Sequence, residues 1–409
     1  MALLKDFFYQ PGGENLKGIS HKNVLLKQSI IAHMAVHGWC TLAELTKALH
    51  ISVPTMTKLV GELVEEGVVV DNGKVETAGG RRPNIFGLAN TAIYFTGVDI
   101  GRDYICMLVT DLKNNVINSQ IHTPFTLSDD EACLNTICQI INSFLDNCGV
   151  ERSKILGMGV CIAGRVNPAT GHSYMFFTGS DKSLKENIEE ATGITVLVEN
   201  DTRARCFAEY YSGDAVKEKN MLYLHLGKGV AIGIIAEGRL YYGKSGFAGE
   251  FGHTPFFNNE IICSCGKKGC LETEVSGIAI ENKMVEQIAS GVNTILREKW
   301  AAGESIHIDD IIAAAKNDDN LSIELIEEAG EKIGKSIAFL INIFNPELVI
   351  IGGNMSLAGD YLMLPLKSAT NKYSMNLVYK DTQFRLSHMG ADAGALGAAM
   401  LIRNKVIGL

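Results

Sequence analysis

The sequence predicts an α/β protein of two lobes preceded by a small, mostly helical head. Three observations predict it. Helical periodicity with recognisable caps fills residues 23–66 and gives way to Val-rich strands around an Asn-Gly pair. From residue 95 onward strands feed helices, and the same order of elements occurs twice, as two related lobes require. The 409 residues are 46% hydrophobic and 20% charged, an ordinary globular composition with length for two or three domains.

In the head, Val24, Leu25, Ile30, Ile31, Met34 and Ala35 form a stripe over Asn23–His37, which Gly38 ends. Thr41 stands at an N-cap with Glu44 three residues on, a capping box, and Leu42, Leu45 and Leu49 make the apolar face of a second helix. His50-Ile51 is the turn. Ser52 is the next N-cap, Pro54 lies early in the third helix, and Met56, Leu59, Val60 and Leu63 face inward to about Glu66. Gly67–Val70 and Lys74–Thr77 then read as a hairpin around Asp71-Asn72-Gly73. Residues 21–90 therefore predict a winged helix-turn-helix, with residues 1–20 as a tail. Ser52, Thr55, Thr57 and Lys58 would meet a major groove, and Arg81 and Arg82, beside two glycines, would anchor the wing on DNA. A winged helix that contacts only protein is the alternative.

In the body, Phe95–Ile100, Ile105–Thr110 and Val116–His122 predict an antiparallel meander. A helix over Asp129–Cys148, strands at Leu156–Ile162 and Val196–Val198, and a helix from near Thr202 follow. The order resumes with Met221–Leu226, Val230–Ala236, Arg239–Tyr242, helices, and a strand at Leu348–Ile351. Lobe 1 covers about 91–205 plus a C-terminal helix at about 390–409, and lobe 2 covers about 206–389, with a cleft between them.

The densest chemistry lies at 249–272. His253, Cys263, Cys265 and Cys270 suit a tetrahedral zinc site, since thiolate and imidazole fit a borderline-soft cation. A disulfide would leave one of the three thiols over and suits a secreted chain. Glu250 and Glu272 flank these ligands and are not needed to complete the metal shell. Gly164-Arg165 and Asn200-Asp201 sit at strand ends, where α/β folds place ligands. Locally they also read as a turn and a helix cap.

Glu-x-Gly-His at 250–253, followed by Cys-x-Cys-Gly-x-x-Gly-Cys-Leu-Glu at 263–272, resembles the signature of the ROK family, which groups bacterial sugar-responsive repressors with sugar kinases. The Gly-Arg-Arg-Pro run at 80–83 is similar to that of its repressors. The resemblance covers nearly the whole chain and implies a two-lobed actin-like ATPase (ribonuclease H-like) sugar-kinase fold. It implies zinc on His253 and the three cysteines, and sugar on Gly164, Arg165, Asn200, Asp201, Glu250, His253 and Glu272. In a kinase it would make Asp201 the catalytic base. The nucleotide-side positions are Asp99, Gly101, Gly227, Gly229, Gly352 and Gly353. Here the chain departs from ROK kinases. Their Asp-x-Gly-Gly-Thr loop reads Asp99-Ile100-Gly101-Arg102-Asp103, and their Gly-Thr-Gly reads Gly227-Lys228-Gly229. A bulky cation and a carboxylate hinder backbone approach to phosphate.

These features predict a sugar-responsive DNA-binding repressor with structural zinc. The alternative is an ATP-dependent sugar kinase using Mg-ATP and keeping a regulatory head. The expected partners are operator DNA, a sugar or sugar phosphate, and a second copy of the chain, since helix-turn-helix dimers match paired half-sites. Net charge is −9, yet residues 1–90 carry 9 Lys+Arg against 8 Asp+Glu while the rest carries 28 against 38. That suits nucleic-acid contact through the head alone. The start lacks a secretory layout, no apolar run suits a membrane span, and the other cysteines are scattered, which predicts a cytoplasmic protein.

Overall fold

The computed structural model describes residues 19–74, 83–89, 91–212 and 218–409. The expected wing-tip arginines Arg81 and Arg82, and all but the last two residues of the 1–20 tail, lie outside the described residues. The chain divides into two compact units, 1–204 with 391–409, and 205–390.

In the first unit the head holds α1 (Ile19–His37), α2 (Leu42–Leu49) and α3 (Val53–Glu65). Helix α2 starts on the expected capping box: the Thr41 side chain accepts from Glu44 N–H, and the Glu44 carboxylate accepts from Thr41 N–H at 2.8 Å. Thr41→Ala is expected to cost about 1 kcal/mol of stability, read by urea denaturation. A midpoint unchanged from wild type would remove the cap from the account. His50 ends α2 in the left-handed region, at φ 53°. Ser52 caps α3 through its backbone, its hydroxyl turning instead to Thr55 Oγ1 at 2.8 Å.

The strands of the head differ from expectation. β2 (Val69–Lys74) runs through Asn72-Gly73 and pairs with β3 (Asn84–Leu88), which also pairs with β1 (Cys40–Thr41). Asn72-Gly73 is an irregularity inside a strand and not the hairpin turn. The Asp71 carboxylate explains it by accepting from Gly73 N–H at 2.9 Å and from the Asn84 amide at 2.7 Å, so the kink closes on its own side chain.

Beyond the head lie β4 (Tyr94–Ile100), β5 (Tyr104–Asp111), β6 (Val116–Pro124), α4 (Glu131–Asn147), β7 (Ile155–Ile162), β8 (Val166–Asn167), β9 (His172–Ser173), α5 (Leu184–Thr192), β10 (Thr195–Asn200) and α6 (Asp201–Ser212). The five-stranded sheet has order β10-β7-β4-β5-β6, antiparallel through β4-β5-β6 and parallel through β4-β7-β10. Ile137, Ile141, Phe144 and Ile188 of α4 and α5 cover one face. The C-terminal helix lies on β4 and β7. It sits almost in backbone contact: a Cβ on Gly97 would come within 1.8 Å of Ala395 O, and one on Gly159 within 1.8 Å of Ala398 O. Its Ile402, Val406 and Ile407 join Ile30, Ile31, Leu59 and Phe95 in one apolar cluster. The head thus shares its core with the first lobe.

The second unit repeats the plan. β11 (Met221–Leu226), β12 (Val230–Ala236), β13 (Arg239–Leu240), α7 (Glu272–Val275), α8 (Gly277–Ala289), α9 (Arg297–Ala301), α10 (Ile308–Lys316), α11 (Asn320–Phe344), β14 (Leu348–Gly352), α12 (Asp360–Tyr373), α13 (Asn376–Asp381) and β15 (Gln383–Leu386) precede α14 (Ala393–Ile407), which belongs to the first unit. The sheet order is β13-β12-β11-β14-β15, again three antiparallel strands followed by two parallel ones. Leu222, Leu224 and Leu226 of β11 face the α8–α12 side, while Met221 and Tyr223 face Cys206 and Tyr210. This period of two is what a strand buried on both faces shows.

Candidate functional site

In the second unit, His253 ends a short 3₁₀ turn (Phe251–His253), and bridges Pro255↔Cys270 and Ile262↔Lys268 fold the next segment into a knuckle. The knuckle brings His253, Cys263, Cys265 and Cys270 together, with one ligand atom from each lying within 4.8 Å of all the others. His253 Nδ1 is 3.4 Å from Cys263 Sγ, and the Cys265 and Cys270 sulfurs are 3.7 Å apart. That gap is far beyond a disulfide bond of about 2.05 Å, and all ten cysteines are free. Burial and the neighbouring sulfurs push the Cys270 thiol up to about 12, as expected of sulfurs crowded in one pocket. One nitrogen and three sulfurs at this mutual distance fit a tetrahedral borderline-soft cation.

The imidazole presents Nδ1 to the cysteines and turns Nε2 toward Glu250 Oε2 at 3.8 Å. Glu272 is the first residue of α7. Its Oε2 accepts from Val230 N–H at 3.1 Å, and its Oε1 lies 3.9 Å from Cys263 Sγ. Glu272 therefore ties the knuckle to the Gly227-Lys228-Gly229 turn joining β11 and β12. A Cβ on Gly229 would meet its carboxylate at 2.6 Å. The structure brings Glu250, His253, Glu272, Gly227 and Gly229 into one neighbourhood. Gly352 and Gly353 close β14, where a Cβ on Gly353 would meet Leu226 O at 2.3 Å.

In the first unit, Gly164 and Arg165 leave β7, and Asn200 and Asp201 join β10 to α6. The Asn200 amide nitrogen donates to Gly164 O at 2.9 Å and to Asp201 Oδ1 at 3.0 Å. Its oxygen accepts from Arg203 N–H at 3.0 Å. Asp201 Oδ1 in turn accepts from Thr202 N–H at 2.7 Å, so Asn200 brackets the two strand ends while both residues hold first-turn N–H groups of α6. Buried beneath them, Arg203 Nε donates to Glu199 Oε1 at 2.6 Å, which stiffens the same corner.

The first phosphate-loop position holds a residue that sequence reasoning missed. The Tyr104 ring packs against Gly101, so a Cβ there would lie 2.5 Å from it, and Gly101 N–H donates to Tyr104 O at 2.9 Å. The Tyr104 hydroxyl donates to buried Asp99 at 3.3 Å. An aromatic residue opening a strand carries an ordinary core pattern, so only the turn geometry reveals it.

On the head, Ser52, Thr57 and Lys58 are exposed and Thr55 half-buried at the start of α3. Lys58 reaches Glu62 at 3.8 Å, an exposed pair of little energetic weight.

The ROK family model matches residues 95–405. The chain belongs to the ROK family. Among ROK relatives, the xylose repressor of Caldicellulosiruptor bescii is 28% identical over 361 residues, 88% of this chain and 90% of that protein. The glucokinase of Halalkalibacterium halodurans is 30% identical, over 76% of this chain and 96% of its own length. A solved ROK family transcriptional regulator, a homologue of the E. coli MLC protein, superposes with a TM-score of 0.80 at 26% identity, covering 95% of this chain and 97% of the other. The repeated sheet is therefore the actin-like sugar-kinase fold that ROK regulators and kinases share.

Proposed function

We propose that the protein is a sugar-responsive transcriptional repressor that holds one structural zinc and binds operator DNA as a homodimer. One observation carries the choice against a kinase: Tyr104 packs into the first phosphate turn, where Gly101 N–H donates to its carbonyl and its hydroxyl donates to Asp99, while Glu250, His253 and Glu272 lie together beside the Gly227–Gly229 turn. Likeness to a xylose repressor and to a ROK regulator over nearly the whole chain supports the same reading.

Zinc on His253, Cys263, Cys265 and Cys270 would neutralise the thiolates and fix the imidazole plane, so that Nε2 points at a sugar hydroxyl. Glu250 and Glu272 accept from neighbouring hydroxyls. Gly164, Arg165 and Asp201 supply the second set of contacts, which Asn200 positions. A sugar that binds one state of the chain better than another shifts DNA binding by that difference in affinity. Helix α3, through Ser52, Thr55, Thr57 and Lys58, enters the major groove. Arg81 and Arg82 hold the phosphates beside it. Among the described residues no helix is long and apolar enough to cross a membrane.

Thermal denaturation of the zinc-loaded chain with a panel of free and phosphorylated sugars tests this reading. One sugar class is expected to raise the midpoint by mass action and then to change operator affinity. The same sugar with Mg-ATP should give no turnover above background. Turnover that disappears in Asp201→Ala would instead establish the kinase alternative.

A further inference from the structure

Helix α1 ends on His33-Met34-Ala35-Val36-His37. Residues four apart share a helix face, and the two imidazoles meet there, with ring centroids 4.2 Å apart and planes 37° from parallel. His33 is half-buried and His37 exposed. Their rings form one wall of a cavity of about 500 Å³, which Trp39, Cys40, Glu44 and Lys47 also line. The cavity lies where the end of α1 meets the first turn of α2. Trp39 joins this corner to its surroundings. A Cβ on Gly87 of β3 would meet its ring at 2.5 Å, and Lys113, in the turn between β5 and β6, places Nζ 5.4 Å over it.

We propose that His33, His37 and Glu44 hold an exchangeable divalent cation of the zinc type, at a second metal site separate from the knuckle. Two imidazoles at i and i+4 have the spacing of zinc ligands carried on one helix. With a carboxylate they give the nitrogen and oxygen donor set that suits such a cation. Imidazole is ordinarily neutral above about pH 6.5, so its lone pairs are available at neutral pH. Glu44 Oε2 accepts from the Thr41 N–H and hydroxyl, and a carboxylate has acceptor capacity beyond two bonds. Cys40 is left out of the ligand set: it is buried, and its Sγ is turned to Gly38 O at 3.5 Å.

This site is weaker than the knuckle for two reasons. Among the described residues only the knuckle gathers three or more ligand atoms within 4.8 Å of one another, so the head site must close on its ion. Lys47 on the same wall also opposes a second positive charge. Three protein ligands leave a coordination position for water, which eases exchange. Once bound, the ion ties the end of α1 to the start of α2, the two helices against which α3 packs.

The test is calorimetric titration of Zn²⁺ into the dialysed full chain with its knuckle already loaded. One further ion per chain is expected. His33→Gln and His37→Gln should each raise its dissociation constant at least about tenfold. Glu44→Gln keeps the capping box, which takes Gln as well as Glu, and should weaken the ion several-fold. Circular dichroism checks the fold of each variant, and elemental analysis should find the knuckle metal retained in all three. Ni²⁺ gives a second reading: it should quench Trp39 fluorescence in wild type and not in the two histidine variants. No further ion in wild type would overturn the proposal, as would an adventitious ion only, bound equally by wild type and the histidine variants. A Glu44→Gln chain that binds as tightly as wild type would overturn the three-residue site.

Discussion

Gly159→Ala should destabilise the first unit by about 3 kcal/mol, the upper end for overpacking a core. The added carbon would lie 1.8 Å from Ala398 O and 2.3 Å from Ala398 C, and both are helix backbone, not a side chain that can swing away. Helix α14 would have to lift off β7. Gly97, one strand over, meets Ala395 O equally closely, so the helix has no free direction along the sheet. Lifting also disturbs Arg403, which is buried and donates from Nε to Leu112 O at 2.7 Å. Denaturant unfolding reads the effect. Gly61→Ala is the control: a Cβ there meets nothing within 4 Å on the exposed side of α3, and the change should stabilise by about 0.5 kcal/mol. Equal midpoints for the two variants would show that the helix is not seated through these glycines.

Cys270→Ser is expected to lower bound metal from about one ion per chain to a small fraction of that, and to weaken effector binding about 10- to 100-fold. Cys270 is fully buried and its backbone holds the knuckle to Pro255 and Thr273. Without a metal, nothing but weak sulfur contacts fixes the His253 ring against Cys263. Glu272 would then lose the support of the knuckle at one end while still holding Val230 N–H at the other. Elemental analysis and sugar titration measure the two effects, and a chelator applied to wild type should reproduce both. Wild-type chain that carries no metal yet binds its effector tightly would falsify the assigned role of the knuckle.

The parts of this fold readable in advance are those written in local chemistry. Thr41 with Glu44, Pro54 after Ser52, and the close spacing of Cys263, Cys265 and Cys270 each act over a few residues, and the structure has them as read. Asn72-Gly73 misled because the same pair that turns a hairpin also suits a bulge. Asp71, reaching Asn84 thirteen residues away, decides between the two. Asn200 and Asp201 both accept first-turn N–H groups of α6, as local chemistry allows, but the bond from Asn200 to the carbonyl of Gly164, distant in sequence, has no local trace. Tyr104 carries no signal until the turn is closed. The near-contact of Gly97 and Gly159 with a helix almost 240 or more residues away has no local trace either.

The apolar cluster that joins α1 and α3 to Ile402, Val406 and Ile407 has a bearing on how the chain is made. The ribosome releases the head early and those three side chains some three hundred residues later, after at least a minute at the slower synthesis rates. Until then the head's core lacks part of its wall. A nonsense mutation upstream of Ala393 should therefore yield a fragment that is cleared by proteolysis, and not a separately stable head. The topology makes the head's core complete only when the chain is.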